Sequence, residues 1–393
     1  MTTDVVFTIF LIFTGAAVLA TFSLFARQTM LIAYIVLGLI VGPFGAGLVA
    51  DTQMVENVSH IGIMFLLFLL GLNLEPQKLL HLFRKTAVIT GITSGFFAVG
   101  SGAICYALGY SLLDAAFIGA AMMFSSTIIG LKLLPTTVLH HQITGELMIS
   151  ILLLQDLLAI IILILIELQS PGAGAAATSG TMEILFVLLS LPLLAGFALL
   201  FQRYVLTPLF ARFDQIQEYI FLLVIGWCLG VAELAAVLGL SAETGAFIAG
   251  VAVASSPIAK FVAEVLKPLR DFFLVIFFFA VGAGYNWQVL MDVLIPAVLL
   301  TAFVMTSKPW LFRILLRRAG EKPGRAHEVG VRLANASEFS LLIAVLALSG
   351  GVISQDASYI IQTTVLFTFI ISSYWIVMFY PSPMAVSDEL RQL

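Results

Sequence analysis

One carboxylate stands where ionising it is most unfavourable. Within ILLLQDLLAI, residues 151–160, Gln155 and Asp156 are the only polar side chains of an otherwise apolar stretch. A charge at the centre of a bilayer costs on the order of several kcal/mol, so such residues face a cavity and serve ions or protons. Burial penalises the ionised form and a nearby cation favours it. A proton and a monovalent cation would therefore compete for Asp156, and competition for one oxygen site is enough to make exchange obligatory. Gln155 is adjacent and points about 100° around the helix. Its neutral amide can cap a broken helix end or supply an oxygen, and it adds no second titratable group.

Two polar clusters accompany this pair. Ser125, Ser126 and Thr127 interrupt AAMMFSSTIIGLKLLP, and Asn335, Ala336, Ser337 and Glu338 interrupt RLANASEFSLLIA. Both fall at membrane depth, where they could cap the ends of a locally unwound helix and free carbonyls for a cation. The plainer alternative is that the hydroxyls bond back to carbonyls of their own helix. Glu338 is expected to orient helix ends, or to bind a lysine or a backbone amide, rather than carry the ion. Lys308 lies in an apolar helix about a turn from its basic end. It could neutralise Asp156, form a permanent ion bridge with it, or snorkel to the surface. No catalytic residue is assigned: an intramembrane aspartyl protease needs two carboxylates sharing a proton, and this helix carries one.

The elements that must position these groups follow from composition. The chain is 61% hydrophobic and 10% charged, far from the balance of a soluble domain. Apolar runs of about 20 residues recur, each long enough to cross a hydrocarbon core about 30 Å thick. Breakers and charges divide them into about thirteen helices, at roughly 5–25, 30–49, 57–74, 86–109, 114–135, 146–168, 182–202, 216–239, 242–255, 270–285, 290–315, 329–350 and 358–380. The alternating polarity of a membrane barrel is missing. The first helix lacks the basic start of a cleavable signal and is expected to be retained. Cys105 and Cys228 lie in apolar segments and read as small hydrophobes. The formal charge of −4 does not point to nucleic acid as a partner.

Where the charges sit is more informative. Arg27 follows helix 1; Lys78, Arg84 and Lys85 follow helix 3; Lys132 ends helix 5; Arg203 and Arg212 follow helix 7. Lys260, Lys267 and Arg270 follow helix 9, Arg313, Arg317, Arg318, Lys322, Arg325 and Arg332 surround the loop after helix 11, and Arg391 follows helix 13. All of them fall after odd-numbered helices, so the positive-inside rule places the N-terminus outside and the C-terminus in the cytoplasm. Glu233 and Glu243 read as interface residues, and His140 and His141 as solvated loop histidines.

Helices 1–6 and 8–13 can be laid against each other as inverted repeats, 1–168 and 216–380, with a linker helix in 169–215 and a cytoplasmic tail, 381–393. GLIVGPFGAG in helix 2 matches GAFIAGVAVASSP in helix 9, and FLLFLLGLNL in helix 3 matches FFLVIFFFAVGAGYNW in helix 10. The polar clusters of helices 5 and 12 then occupy mirrored positions. Inverted repeats with sites at interrupted helices are a recurring build of secondary transporters. A potassium channel filter would need a TVGYG-like loop, which the sequence lacks.

The motifs AYIVLGLIVGPFG, GIMFLLFLLGLNLEPQKL, FSSTIIGLKLL, LLLQDLLAI, GAFIAGVAVASSP, LKPLRDFFLVIFFFAVG and ANASEFSLLIA resemble, in order, those of the Kef-type branch of the monovalent cation:proton antiporters. The Gln-Asp pair is the sharpest likeness. The resemblance implies an all-α polytopic membrane protein of the NhaA-like fold, with inverted six-helix repeats and crossed discontinuous helices. It implies a homodimer in a bacterial inner membrane, each protomer having a dimerisation part and a mobile core. It implies that Asp156 takes the cation and the proton, surrounded by Gln155, the crossed helices 5 and 12, and Lys308. Potassium moving outward against a proton is the expected exchange, with sodium/proton exchange or a gated potassium efflux system as alternatives. No resident cofactor is expected. Two departures stand out: Asn73 occupies a position where many relatives have Glu, and no GxGxxG fingerprint follows the membrane part. A nucleotide-binding regulatory domain is thus not expected in this chain, which leaves a separate regulatory domain or subunit open.

Overall fold

The computed structural model describes residues 5–49, 53–73, 76–133, 143–169, 180–213, 216–238, 240–254, 256, 258–286 and 288–382. His140, His141 and residues 383–393 of the tail lie outside the described residues, as does the side chain of Asn73. Those described contain helices and no β-strand. Helices are expected, because in hydrocarbon each backbone N–H and C=O must be satisfied within its own segment.

The first half of the chain forms α1 (Val5–Phe25), α2 (Met30–Val41), α3 (Gln53–Asn73), α4 (Pro76–Ala107), α5 (Leu112–Met122), α6 (Thr127–Lys132) and α7 (Ile143–Gln169). After α8 (Gly180–Phe201), a π-turn at Gln202–Leu206 leads into α9 (Thr207–Phe213). Next come α10 (Gln217–Val237), α11 (Ala242–Ala254), α12 (Ala259–Ala283), α13 (Leu290–Arg318), α14 (Pro323–Arg332), α15 (Glu338–Ser349) and α16 (Gln355–Phe379). Among the described residues, seven helices are long and apolar enough to cross a membrane, and five shorter apolar ones span 10–17 residues.

Every window read from the sequence contains a helix, with three kinds of difference. Windows 114–135 and 329–350 each hold two helices, broken at 123–126 and 333–337. The second window ends early, because α2 stops at Val41 and gives way to a turn through Gly45 and Gly47. Two helices begin ten or more residues ahead of their windows: α4 at Pro76 and α12 at Ala259. In α12 the charges Lys260, Glu264, Lys267 and Asp271 recur every three or four residues, so a stretch read as a basic loop is an amphipathic helical start.

The chain divides into two compact units. One comprises Met1–Thr52, His81–Ile162 and Val281–Leu393; the other comprises Gln53–Leu80 and Leu163–Ala280. In the second unit, α11 packs on α3 at Gly250, where an added Cβ would lie 2.0 Å from the carbonyl oxygen of Phe68. Trp227 of α10 donates from Nε1 to Ala249 O at 3.1 Å, and Phe65 stacks on Phe273. In the first unit, α12 packs on α2 in the same manner: a Cβ at Gly282 would lie 2.0 Å from Ile35 O. Small residues permit this backbone approach, which is how membrane helices gain packing energy. The four helices concerned are those matched in pairs by sequence, and each match supplies at least one glycine contact. Cys105 and Cys228 are buried free thiols.

Candidate functional site

The two helix breaks meet inside the first unit. A helix end leaves backbone groups without intrahelical partners, and at a break in hydrocarbon these must be met by side chains. At the first break, Gln155 of α7 spans the gap: its Oε1 accepts from Ser125 N at 2.9 Å and its Nε2 donates to Met123 O at 3.2 Å. Ser126 caps α6 by accepting from Ile129 N at 3.1 Å. At the second break, Ser337 caps α15 by accepting from Phe339 N at 3.1 Å, and Ala336 N donates to Thr368 Oγ1 of α16 at 3.1 Å. Glu338 is the first residue of α15, where a negative charge is favoured by the helix N-terminus.

Side chains from each break also bond to the other. Asn335 Oδ1 accepts from Ser126 N at 2.8 Å, while its Nδ2 donates to Arg332 O at 3.2 Å and Ser372 Oγ at 3.1 Å. Ser125 Oγ donates to Leu333 O at 2.8 Å, and Ser340 Oγ to Ala121 O at 2.6 Å. The sequence clusters therefore form one crossing rather than two separate bends.

Lys308 is 0% exposed. Its Nζ donates to Phe124 O at 2.6 Å, Asn335 O at 2.6 Å and Ser125 Oγ at 3.2 Å, and lies 5.4 Å from the centre of the Phe97 ring. The two carbonyls follow the C-terminal ends of α5 and α14, where the helix dipole is negative and a cation is favoured. Snorkelling and an ion bridge to Asp156 are both excluded by this geometry, since every proton of the ammonium has an acceptor here. Arg332, counted in the sequence among the loop charges, is fully buried as well. It donates to Leu133 O at 3.0 Å, just past the end of α6, to Pro381 O at 2.7 Å and to Glu328 Oε1 at 3.0 Å. Carbonyls exposed at helix ends explain why these cations are drawn inward.

Asp156 sits one residue beyond Gln155 and is 3% exposed. Its carboxylate makes no hydrogen bond or ion pair among the described residues. Glu338 is near enough to interact with it electrostatically. The Oγ1 of Thr127, at the start of α6, is buried without a hydrogen-bond partner. Of the residues singled out in the sequence, Gln155, Ser125, Ser126, Asn335, Ser337 and Lys308 are thus joined in one hydrogen-bonded crossing. Elsewhere, Glu243 pairs with His60 at 3.3 Å in the second unit and Glu233 is exposed.

Several participants escaped the sequence reading. Ser340 lies within ANASEFSLLIA, three residues after Ser337. Thr368 and Ser372 are four residues apart on an apolar helix, a one-face spacing that could have flagged them. Phe97 carries no such signal.

Residues 9–380 match the family described as sodium/hydrogen exchanger, transmembrane. The chain belongs to that family. It is a multi-pass membrane protein and a transporter rather than an enzyme, and its membrane part is of the Kef type. It is 29% identical over 352 residues to the protein named iron transporter MagA of Paramagnetospirillum magneticum, covering 89% of this chain and 80% of that one. It is 27% identical over 367 residues to the glutathione-regulated potassium-efflux system protein KefC of Salmonella schwarzengrund. That match covers 92% of this chain and 58% of KefC, so the chain spans little more than half of that relative. Among solved structures, the sodium proton antiporter MjNhaP1 of Methanocaldococcus jannaschii superposes with a TM-score of 0.69 at 17% identity, over 94% of this chain and 95% of the other. The fold is accordingly that of a cation/proton antiporter.

Proposed function

We propose that the protein exchanges potassium for protons by alternating access, with the two ions competing for Asp156. One observation carries the reading. Asp156 is a buried carboxylate without a hydrogen-bond or ion-pair partner among the described residues, next to a crossing whose backbone ends are capped by other side chains. A fixed carboxylate would be matched by a fixed donor, and here the cation nearest in the crossing, Lys308, is engaged by carbonyls. Asp156 is left to bind something that arrives and leaves. Ser125, Ser126, Thr127 and Gln155 then shape the site, with Asn335, Ser337 and Glu338 holding the second break in place.

Potassium is favoured by the Kef likeness, with sodium as the alternative cation. Transition-metal transport, suggested by the name of one relative, would call for softer nitrogen or sulfur ligands; among the described residues no group of three or more His, Cys, Asp or Glu could hold a metal ion. The reading includes a homodimer in a bacterial inner membrane with the N-terminus outside, and a cytoplasmic regulatory domain or subunit in addition to the membrane part.

The test is dissipation of an imposed pH gradient in proteoliposomes, with K⁺, Na⁺, Li⁺ and Rb⁺ compared in parallel. Wild type should release the gradient with K⁺ and Asp156→Asn should not. Cation-dependent proton movement that persists in Asp156→Asn would overturn the assignment.

A further inference from the structure

The basic residues around the end of α13 differ in their pairing. Arg325 pairs with Glu321 at 2.8 Å and Arg332 with Glu328 at 2.9 Å. Arg313, Arg317 and Arg318 are exposed and have no acidic partner among the described residues. The nearby carboxylates are thus already engaged, and positive charge accumulates on one helix.

The charge coincides with a concave surface. Arg313, Arg317 and Arg318 line a cleft of about 470 Å³ together with Trp310 and Ile314. Trp310, Arg313, Ile314 and Arg317 follow one another at spacings of three, one and three, so that 310/314 and 313/317 are i,i+4 pairs along one face of α13. Trp310 is 61% exposed. Tryptophan is enriched at the membrane–water boundary, where an apolar ring can carry a polar N–H. Lys308, two residues earlier, is in the buried crossing, so Arg313 and Arg317 lie about 8 and 14 Å farther along the helix axis. The face therefore runs from apolar depth to a cluster of guanidinium groups without an acidic partner among the described residues.

We propose that this cleft binds an anionic phospholipid of the leaflet facing the basic loops. Arg313 and Arg317 hold the headgroup phosphate, for which the guanidinium fork is geometrically matched, while Trp310 and Ile314 cover the start of an acyl chain. A cation in the last turn of a helix is also favoured by the helix dipole. That effect accounts for Arg317 and Arg318, but it reaches neither Arg313, more than a turn earlier, nor the tryptophan. Because α13 also carries Lys308, a lipid seated here steadies the helix that ties the two breaks together. The inference needs only that α13 spans the membrane and is independent of which cation is exchanged.

The experiment is thermal unfolding of the full chain in a non-ionic detergent, titrated with phosphatidylglycerol or phosphatidylcholine. Phosphatidylglycerol should raise the midpoint by about 3 °C or more over phosphatidylcholine. The concentration giving half the effect should rise about tenfold in Arg313→Gln/Arg317→Gln, which removes two phosphate contacts. It should be unchanged in Arg203→Gln/Arg212→Gln, which removes the same charge elsewhere. Arg313→Lys keeps the charge and should show an intermediate shift, so the result does not depend on the double variant folding. Equal shifts in wild type and Arg313→Gln/Arg317→Gln would overturn the proposal. So would an equal shift from phosphatidylcholine, or from soluble glycerol phosphate, the latter marking a site for a free anion.

Discussion

The crossing treats its two buried charges in opposite ways. On the side of Lys308, three acceptors surround the ammonium, two of them backbone carbonyls from different breaks. On the side of Asp156, the carboxylate is nearly as deeply buried and has no such partners among the described residues. A buried charge is tolerated only with compensation. Lys308 is compensated by the protein itself, which makes it part of the framework. Asp156 depends on a proton or a cation under the proposed exchange, which makes it the working group. The comparison separates holding from binding within one small region.

The strongest way to break this contrast is Asp156→Asn. Gradient dissipation should fall to the level of empty liposomes, while the melting temperature should hold or rise because a buried charge without a partner among the described residues is gone. A melting temperature lowered as much as in a Lys308 variant would make both residues framework. Lys308→Ala should act on stability first. It strands Phe124 O and Asn335 O, each costing about 1–3 kcal/mol when left unsatisfied in a buried setting. Unfolding in detergent should show a loss of roughly 3 kcal/mol in total, and an unaltered melting curve would contradict the bonds described.

Gln155→Ala should fall between these effects. It releases Ser125 N and Met123 O at the first break, for a cost of about 2 kcal/mol. Exchange should be slowed but still cation-dependent, whereas complete loss with unchanged stability would move Gln155 to the binding side of the comparison. Thr127→Val gives the smallest effect. Its hydroxyl makes no hydrogen bond, so stability should change by less than about 0.5 kcal/mol. A rise in the cation concentration needed for half-maximal dissipation would place the hydroxyl on the working side; no change would leave it as packing.

Much of this arrangement was legible in the sequence. Ser125–Thr127 and Asn335–Glu338 stood out because polar residues amid apolar helices are costly, and the helices do break next to them, at 123–126 and 333–337. The role of Gln155 was not legible. An amide can cap a helix or coordinate an ion with the same atoms, and only the positions of Met123 O and Ser125 N show it engaged at the break. Arg332 was read among loop charges because it follows a basic segment, yet it is buried by Leu133 and Pro381, which are remote in sequence. The amphipathic start of α12 was mistaken for loop because its charges dominated the hydropathy.

What the sequence determined by itself is the set of apolar segments, the sites of their interruption and the identity of the charges within them. These are local properties, governed by the cost of placing polar groups in hydrocarbon. What only the tertiary structure decided is which partner each charge meets. Phe124 and Asn335 are more than two hundred residues apart, and Lys308 comes from a third helix. No local pattern encodes that their carbonyls converge on one ammonium while Asp156 has no donor among the described residues.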